Sequence, residues 1–370
     1  MGNVKSFVLK EPELAGSFFI AAVSCFFVPP SGKYLSYIDA NVLIMLFCLM
    51  LVISGFAKNN LFACISRYFV GKAHNARELC FILISACFFS AMFVTNDVAL
   101  LIFVPLAAVI LGNAGLHGYI LFVTVMQTIA ANLGSMFTPI GNPQNIFIYS
   151  YFNLTFKEFF AITLPATFFS FAMIMPTVLW VKKKPIRHVI PDQATITDKL
   201  STTVLAGLFI LCLATVFHLL TFIELMVIVC LVTFVTDKSL FRLVDYKLLA
   251  TFLFFFIFCG NLTSLQAVKD TLIPYIAGNE LFVSIMASQV ISNVPCALIL
   301  AGFTDNYKDL LLGVNIGGLG TIIASMASLI SFRYYKRTAK AKPLLYLYVF
   351  SIVNVAMLAV LLIFVKIAGL

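Results

Sequence analysis

The chain has 370 residues, 62% of them hydrophobic and 11% charged. That leaves too little polar surface to coat a soluble globule of this length, so its solvent is lipid. The net charge of +9 does not point to nucleic acid, because Lys and Arg lie between apolar runs and form no basic stripe interleaved with aromatics. Membrane orientation accounts for them. The nine Cys, among them Cys48, Cys87, Cys212 and Cys259 inside apolar segments, show no CxxC and no Cys/His cluster. They read as small apolar side chains in a reducing setting, with no cofactor implied.

In chain order, apolar runs predict membrane crossings at residues 14–28, 42–56, 119–151 (interrupted), 159–181, 203–219, 222–234, 248–259, 310–332 (interrupted) and 344–365, nine in all. The first follows Lys5, Lys10, Glu11 and Glu13 and ends in Pro29-Pro30 without a small-residue cleavage pattern. It reads as a span, not a signal peptide. Two further stretches, 79–111 and 281–303, are split by Thr95-Asn96-Asp97 and by Ser292-Asn293-Val294-Pro295.

Basic loops stay on the cytoplasmic side, which decides how these two stretches run. If both turn back, the inner side holds Lys5, Lys10, Lys58, Arg67, Lys72, Arg77, Lys182, Lys183, Lys184, Arg187, Lys199, Lys238, Arg242, Lys247, Arg333, Lys336, Arg337, Lys340 and Lys342. Only Lys33, Lys157, Lys269, Lys308 and Lys366 are then outside, a partition of 19 against 5; if each stretch crossed once it would be 13 against 11. The arms, at nine to sixteen residues, also fall short of the ~20 that a spanning helix needs. The expectation is therefore two re-entrant hairpins entering from opposite sides, with the N-terminus cytoplasmic and the C-terminus outside.

The halves repeat. Ala131-Asn132-Leu133-Gly134-Ser135-Met136-Phe137-Thr138 aligns with Val314-Asn315-Ile316-Gly317-Gly318-Leu319-Gly320-Thr321 at an offset of 183, which places Asn142 and Asn145 over Ser325 and Ser328. The hairpin tips align at an offset of 197, and Ser54-Gly55-Phe56 aligns with Cys259-Gly260-Asn261 at 205. Five full crossings separate the two copies, an odd number, so the second is inverted. The expected layout is a single all-α polytopic transporter domain over 1–370. Its first inverted repeat spans 42–181 with hairpin 79–111. A cytoplasmic linker over 182–202, containing Pro185, Pro191 and Asp192, leads through two spans to the second repeat, 248–365, with hairpin 281–303.

Gly134-Ser135 and Gly141-Asn142-Pro143 interrupt one span, and Gly317-Gly318 with Gly320 interrupt its mate. Unpaired backbone groups cost several kcal/mol in hydrocarbon, so broken helices persist where they line a cavity or pack within protein. Ser135, Thr138, Asn142, Gly318 and Thr321 are candidate substrate contacts on that ground. Close helix packing by small residues is the structural alternative. One helix is expected to begin after Asn96-Asp97 and another at Pro295, presenting free N–H groups to an anion or polar solute. Asp97 alone among the fifteen acids lies at the centre of an apolar stretch. It reads as a coupling residue that binds a cation or titrates, or as a cap on its own helix. Glu224 and His218 read as an interfacial polar pair.

These motifs resemble the ion transporter superfamily, which includes divalent-anion/sodium symporters, citrate transporters, arsenite permeases and a class of sodium/proton antiporters. The resemblance covers nearly the whole chain. It rests on Phe93-Val94-Thr95-Asn96-Asp97-Val98-Ala99-Leu100, Ala131-Asn132-Leu133-Gly134 with Gly141-Asn142-Pro143-Gln144-Asn145, Ser292-Asn293-Val294-Pro295, and Val314-Asn315-Ile316-Gly317-Gly318. It implies a homodimer working by an elevator motion, with Asn96 and Asn293 as substrate and ion ligands. Thr95, Ser292, Asn132 and Asn315 would stand beside them, with Gly134 and Gly317 lending carbonyls to a coupling Na+ or H+. The symporters carry Ser-Asn-Thr at each tip; here the third position is Asp97 in one hairpin and Val294 in the other. A fixed charge there repels a dicarboxylate, and the Asn-Asp pair looks like that of arsenite permeases.

The expected function is a secondary active transporter in the cytoplasmic (inner) membrane, coupled to protons or sodium. Its substrate would be a small oxyanion, a weak oxyacid such as arsenite, or a carboxylate. The alternative is a sodium/proton antiporter using Asp97 with no anion substrate. A membrane enzyme is disfavoured, since the chain offers no His-Glu-x-x-His, no Gly-x-Ser-x-Gly and no pair of intramembrane acids. A passive channel suits paired hairpins less well than alternating access does.

Overall fold

The structure, a computed structural model, describes residues 12–186, 195–338 and 340–370, and only the backbone of residues 12, 13, 66, 67 and 69. Lys5, Lys10, Glu11, Arg187, Pro191, Asp192 and the side chains of Glu13 and Arg67 lie outside the described residues. Among these residues the chain is all helix, with one isolated bridge between Asn75 and Pro185.

Helix α1 (Pro12–Phe27) is followed by a helical turn at Tyr34–Tyr37, then α2 (Ala40–Lys58) and the short α3 (Leu61–Val70). Next come α4 (Ala76–Ala91) and α5 (Asn96–Asn113), then α6 (Ile120–Gly134), α7 (Pro143–Tyr151) and α8 (Phe156–Ile174). Two helices, α9 (Lys199–Val216) and α10 (Phe222–Thr236), lead to α11 (Tyr246–Ser264) and α12 (Gln266–Ile276). The remainder is α13 (Glu280–Ile291), α14 (Asn293–Leu300), α15 (Tyr307–Ile316), α16 (Met326–Tyr335) and α17 (Pro343–Ala368). Six of the nine predicted crossings fall on helices long and apolar enough to span a bilayer. At ~1.5 Å per residue, the 19 residues of α2 reach about 28 Å, close to the hydrocarbon thickness. Phe26 on α1, Val235 on α10 and Ile367 on α17 stand exposed, as side chains facing lipid do.

Helix starts follow local chemistry. Thr155 with Glu158 and Thr221 with Glu224 form reciprocal capping boxes on α8 and α10, and Asp39 accepts from Val42 N at the start of α2. The expected Glu224–His218 pair does not form, because Glu224 is spent on its capping box while His218 stacks on Tyr149 with ring centroids 5.7 Å apart. Helices α3 and α12 were not predicted; each is too short or too polar to register as a span. The linker is also shorter than expected, since Asp198 caps α9 at Lys199.

The two split stretches fold back on themselves. Buried Gln127 on α6 donates through Nε2 to Leu83 O on α4 (3.1 Å) and to Phe103 O on α5 (3.3 Å), carbonyls that flank the 92–95 tip. In the second hairpin Cys296 Sγ on α14 reaches Ser284 O on α13 at 3.4 Å. One arm departs from expectation: α5 has 18 residues, longer than the sixteen allowed. Helix α14 starts at Asn293, so Pro295 sits two residues inside the first turn, where its missing N–H costs nothing.

The bases of the hairpins lie at opposite ends of the molecule. Ala76 N donates to Lys184 O, Arg77 Nε to Val181 O and Lys182 N to the Tyr119 hydroxyl, gathering basic loops at one end. The second hairpin is closed by buried Glu280, which accepts from Thr304 Oγ1 (3.0 Å) and Asn306 Nδ2 (3.4 Å). The adjoining Tyr307 ring meets Phe152, and Ser150 donates to Asp39 Oδ2 at 2.9 Å, which marks the other end. Glu280 is thus a buried carboxylate whose position at a run's edge concealed its burial.

The breaks expected in two helices are present. Between α6 and α7 the chain makes two 3-10 turns, Ser135–Phe137 and Pro139–Gly141, and between α15 and α16 residues 317–325 are non-helical. Thr138 Oγ1 donates to Met92 O, and Thr321 Oγ1 to Gln289 O at 3.0 Å. The two donors stand 183 residues apart and the two acceptors 197, the offsets of the sequence repeat. Gly134 lets α6 meet α4, since a Cβ there would lie 2.3 Å from Phe88 O.

Gly134→Val should therefore lower stability by roughly 1–3 kcal/mol. Gly207→Ala, with open space around it, should leave stability unchanged or slightly improved. Thermal melting of the detergent-solubilised protein checks both.

Candidate substrate and ion site

The two broken helices and the two hairpin tips meet in a buried chain of carboxamides. Asn96 Nδ2, at the first tip, donates to Asn132 Oδ1 at 3.0 Å, and Ser325 Oγ donates to the same oxygen at 3.0 Å. Asn132 Nδ2 crosses to Gly318 O at 3.2 Å. A parallel link joins Asn142 Nδ2 to Asn315 Oδ1 (3.0 Å) and Asn315 Nδ2 to Asn145 Oδ1 (2.7 Å). Ser135 joins the two strings, donating to Asn132 O and accepting from Asn142 Nδ2. Asn293, at the second tip, donates its main-chain N–H to Ala324 O at 3.0 Å, and its Nδ2 lies 3.0 Å from where a Gly318 Cβ would stand.

Of the residues singled out from sequence, the structure brings together Asn96, Asn132, Ser135, Asn142, Asn293, Asn315 and Gly318 at this centre. Others do different work. Thr138 and Thr321 fasten their breaks to the hairpins, and Gly317 O is taken by Gln289 Nε2 at 2.9 Å. Thr95 and Ser292 occupy cap positions without a side-chain capping bond. Ser292 does so at φ +71°, ψ 154°, a region that costs a non-glycine residue about 1–3 kcal/mol.

Asp97 lies within the first turn of α5, not before it, and its carboxylate caps nothing: the N–H it could accept is absent from its bonds, and its own N–H donates to Asn96 Oδ1 at 2.9 Å. The capping alternative is thereby overturned. Its Oδ1 is buried without a hydrogen-bond partner, and among the described residues it has no ion-pair partner.

Three residues of the centre were not chosen from sequence. Asn145 donates to Ser135 O (3.2 Å) and Thr138 O (3.1 Å), satisfying the carbonyls that the first break exposes. Gln289 does the same for the second, donating to Gly317 O and Leu319 O and accepting from Thr321 N at 2.8 Å. Gly320 is required opposite it, with φ +111° and a Cβ position 2.2 Å from Gln289 Oε1. Ser325 was visible only as the counterpart of Asn142. Asn145 had an offset partner as its signal; Gln289 had only its polarity within an apolar arm.

Chemically, the centre offers amide donors, hydroxyls and backbone carbonyls. Four helices begin here, α5 at Asn96, α7 after Asn142, α14 at Asn293 and α16 after Ser325. Each directs partial positive charge inward. No described Lys, Arg or His bonds to any of these residues. The described residues hold no His/Cys/Asp/Glu group suited to a transition metal.

Asn315→Leu should cost about 2–4 kcal/mol, because it removes both carboxamide links between the halves and strands buried partners. Thr233→Val, where the buried hydroxyl has no partner, should be neutral or stabilising. Melting curves of the two variants beside the parent protein decide this.

A family profile described as citrate transporter (CitMHS) matches residues 11–307. The uncharacterized transporter MJ0456 of Methanocaldococcus jannaschii is 30% identical over 303 residues, covering 80% of this chain and 81% of that protein. The inner membrane protein YbiR of Escherichia coli is 31% identical over 318 residues, covering 83% of each. Among solved structures, the YdaH transporter of Alcanivorax borkumensis superposes with a TM-score of 0.59 over 93% of this chain and 89% of that one, at 13% identity, a likeness of fold. The match over most of its length makes this chain a member of the citrate transporter family, a multi-pass membrane transporter and not an enzyme.

Proposed function

We propose that the protein is a secondary active carrier of a small oxyanion, weak oxyacid or carboxylate, driven by protons or sodium through an elevator-type alternating access. The observation that carries this reading is the convergence of four helix N-termini on one buried carboxamide chain with no fixed cation. Such a centre attracts negatively polarised oxygens without holding them so tightly that they cannot leave. Membership of the citrate transporter family favours a carboxylate; the unpartnered carboxylate of Asp97 favours a substrate of low charge, or one bound with a cation that covers it.

The same reading takes the halves as inverted repeats with nine crossings and two re-entrant hairpins. Helix α2 starts beside Ser150 and ends at Lys58, bonded to Asp237 at the basic end. Helix α11 runs the other way, starting near Lys247 and ending where Thr263 abuts Gly302 beside the second hairpin's base. With basic loops inside, the N-terminus is cytoplasmic and the C-terminus external, in the inner membrane. Carboxamides and carbonyls at Asn96, Asn132, Asn293 and Asn315 would bind Na+ if sodium is the coupling ion, and the protein would act as a homodimer.

In proteoliposomes with an imposed proton or sodium gradient, uptake of citrate, another small carboxylate, arsenite or a small oxyanion is expected. Movement of none of them under either gradient overturns the reading. Asn132→Ala should slow that uptake about tenfold or more, since it strips one shared acceptor from both tip and break. Asp97 supports a second reading, a sodium/proton antiporter without an anion substrate. Sodium-driven pH change in vesicles free of those solutes, abolished by Asp97→Asn, is its expected signature; its absence in the parent protein rules the antiporter out.

A further inference from the structure

At the basic end, a cavity of about 450 Å³ lies between the C-terminal half of α5, the start of α6 and the end of α16 with the residues that follow it. That is within the ~300–1,000 Å³ usual for small-ligand sites. It lies far along both helices from the carboxamide centre. Its wall is apolar, formed by Val104, Pro105 and Ala108 of α5 and by Ile120 at the start of α6. His117 and Arg337 complete the lining with a ring nitrogen and a guanidinium. The Arg337 guanidinium stands 5.6 Å from the centre of the Tyr334 ring, which also lines the cavity. Neither side chain pairs with a carboxylate among the described residues. Tyr119, next to Ile120, accepts from Lys182 N, so the cavity belongs to the end where the basic loops gather.

We propose that this cavity binds one anionic phospholipid of the adjacent leaflet, its acyl chain along Val104, Ala108 and Ile120 and its phosphate at Arg337 and His117. An apolar wall beside a guanidinium matches a lipid and not a soluble anion, which would leave the wall wet. Basic recesses between spanning helices at the inner surface take anionic headgroups for this reason. The inner-surface placement rests on the distribution of Lys and Arg; the ligand's chemistry rests on the cavity alone. The lipid would clamp the far ends of α5 and α16, the two helices whose near ends supply Asn96 and Ser325 to the carboxamide centre. It therefore bears on the transporter's working parts without touching substrate.

The test uses the full-length protein in neutral detergent, melted in the presence of dioleoylphosphatidylglycerol, dioleoylphosphatidylcholine or inorganic phosphate. Phosphatidylglycerol should raise the melting temperature saturably, and the other two should not. Arg337→Gln should raise the half-saturating lipid concentration about fivefold or more, the loss of one cation at a membrane surface. Ala108→Trp, which fills the wall, should abolish the shift. Lys336→Gln, equally basic and outside the cavity, should leave it intact. The proposal falls if phosphatidylcholine or free phosphate gives the same shift, or if Arg337→Gln behaves as Lys336→Gln does. Should Ala108→Trp fail to fold, that last comparison decides alone.

Discussion

A backbone that leaves its helix inside hydrocarbon must find partners for the amides and carbonyls it frees, and at each of this protein's two breaks one carboxamide takes several of them. Asn145 serves the first break from the helix that follows it, and Gln289 serves the second from the hairpin alongside. Because these side chains hold the backbone in place, the neighbouring Asn132, Asn142 and Asn315 are free to reach across the molecule and face each other. The centre exists because the breaks are satisfied from beside it.

The same division of labour separates buried Glu280 from partly buried Asp97. Glu280 is surrounded by donors from Thr304 and Asn306 and closes a hairpin; nothing about it calls for a ligand. Asp97 has a buried oxygen with no partner, at the first turn of a helix that begins in the carboxamide centre. A buried carboxylate oxygen without a hydrogen-bond partner is costly in a low dielectric, and Glu280 shows how the same fold satisfies one. The two tips thus differ in charge and in backbone, since Ser292 holds a strained conformation that Thr95 avoids.

Charge distribution extends the pattern to the whole molecule. The loops that carry most Lys and Arg are tied to one another at one end, through Arg77, Lys182, Lys184 and Lys58. The second hairpin closes at the other end. The two hairpins therefore bring their tips to the centre from opposite directions.

Much of this was legible in the sequence because it depends on short-range chemistry. Apolar length marks spans, Gly and Asn mark breaks, and a run divided by Thr-Asn-Asp or Ser-Asn-Val marks a tip, each within a window of a dozen residues. What the sequence could not decide were partners far apart along the chain. Asn142 meets Asn315 across 173 residues and Asn132 meets Ser325 across 193. No local pattern shows that Gln289 and not another polar residue holds the second break, or that His218 stacks on Tyr149; the cap that takes Glu224, by contrast, was legible in the Thr221-x-x-Glu224 spacing. Hydropathy places helices in the bilayer; only their packing sets which faces touch, and so which amides form the site.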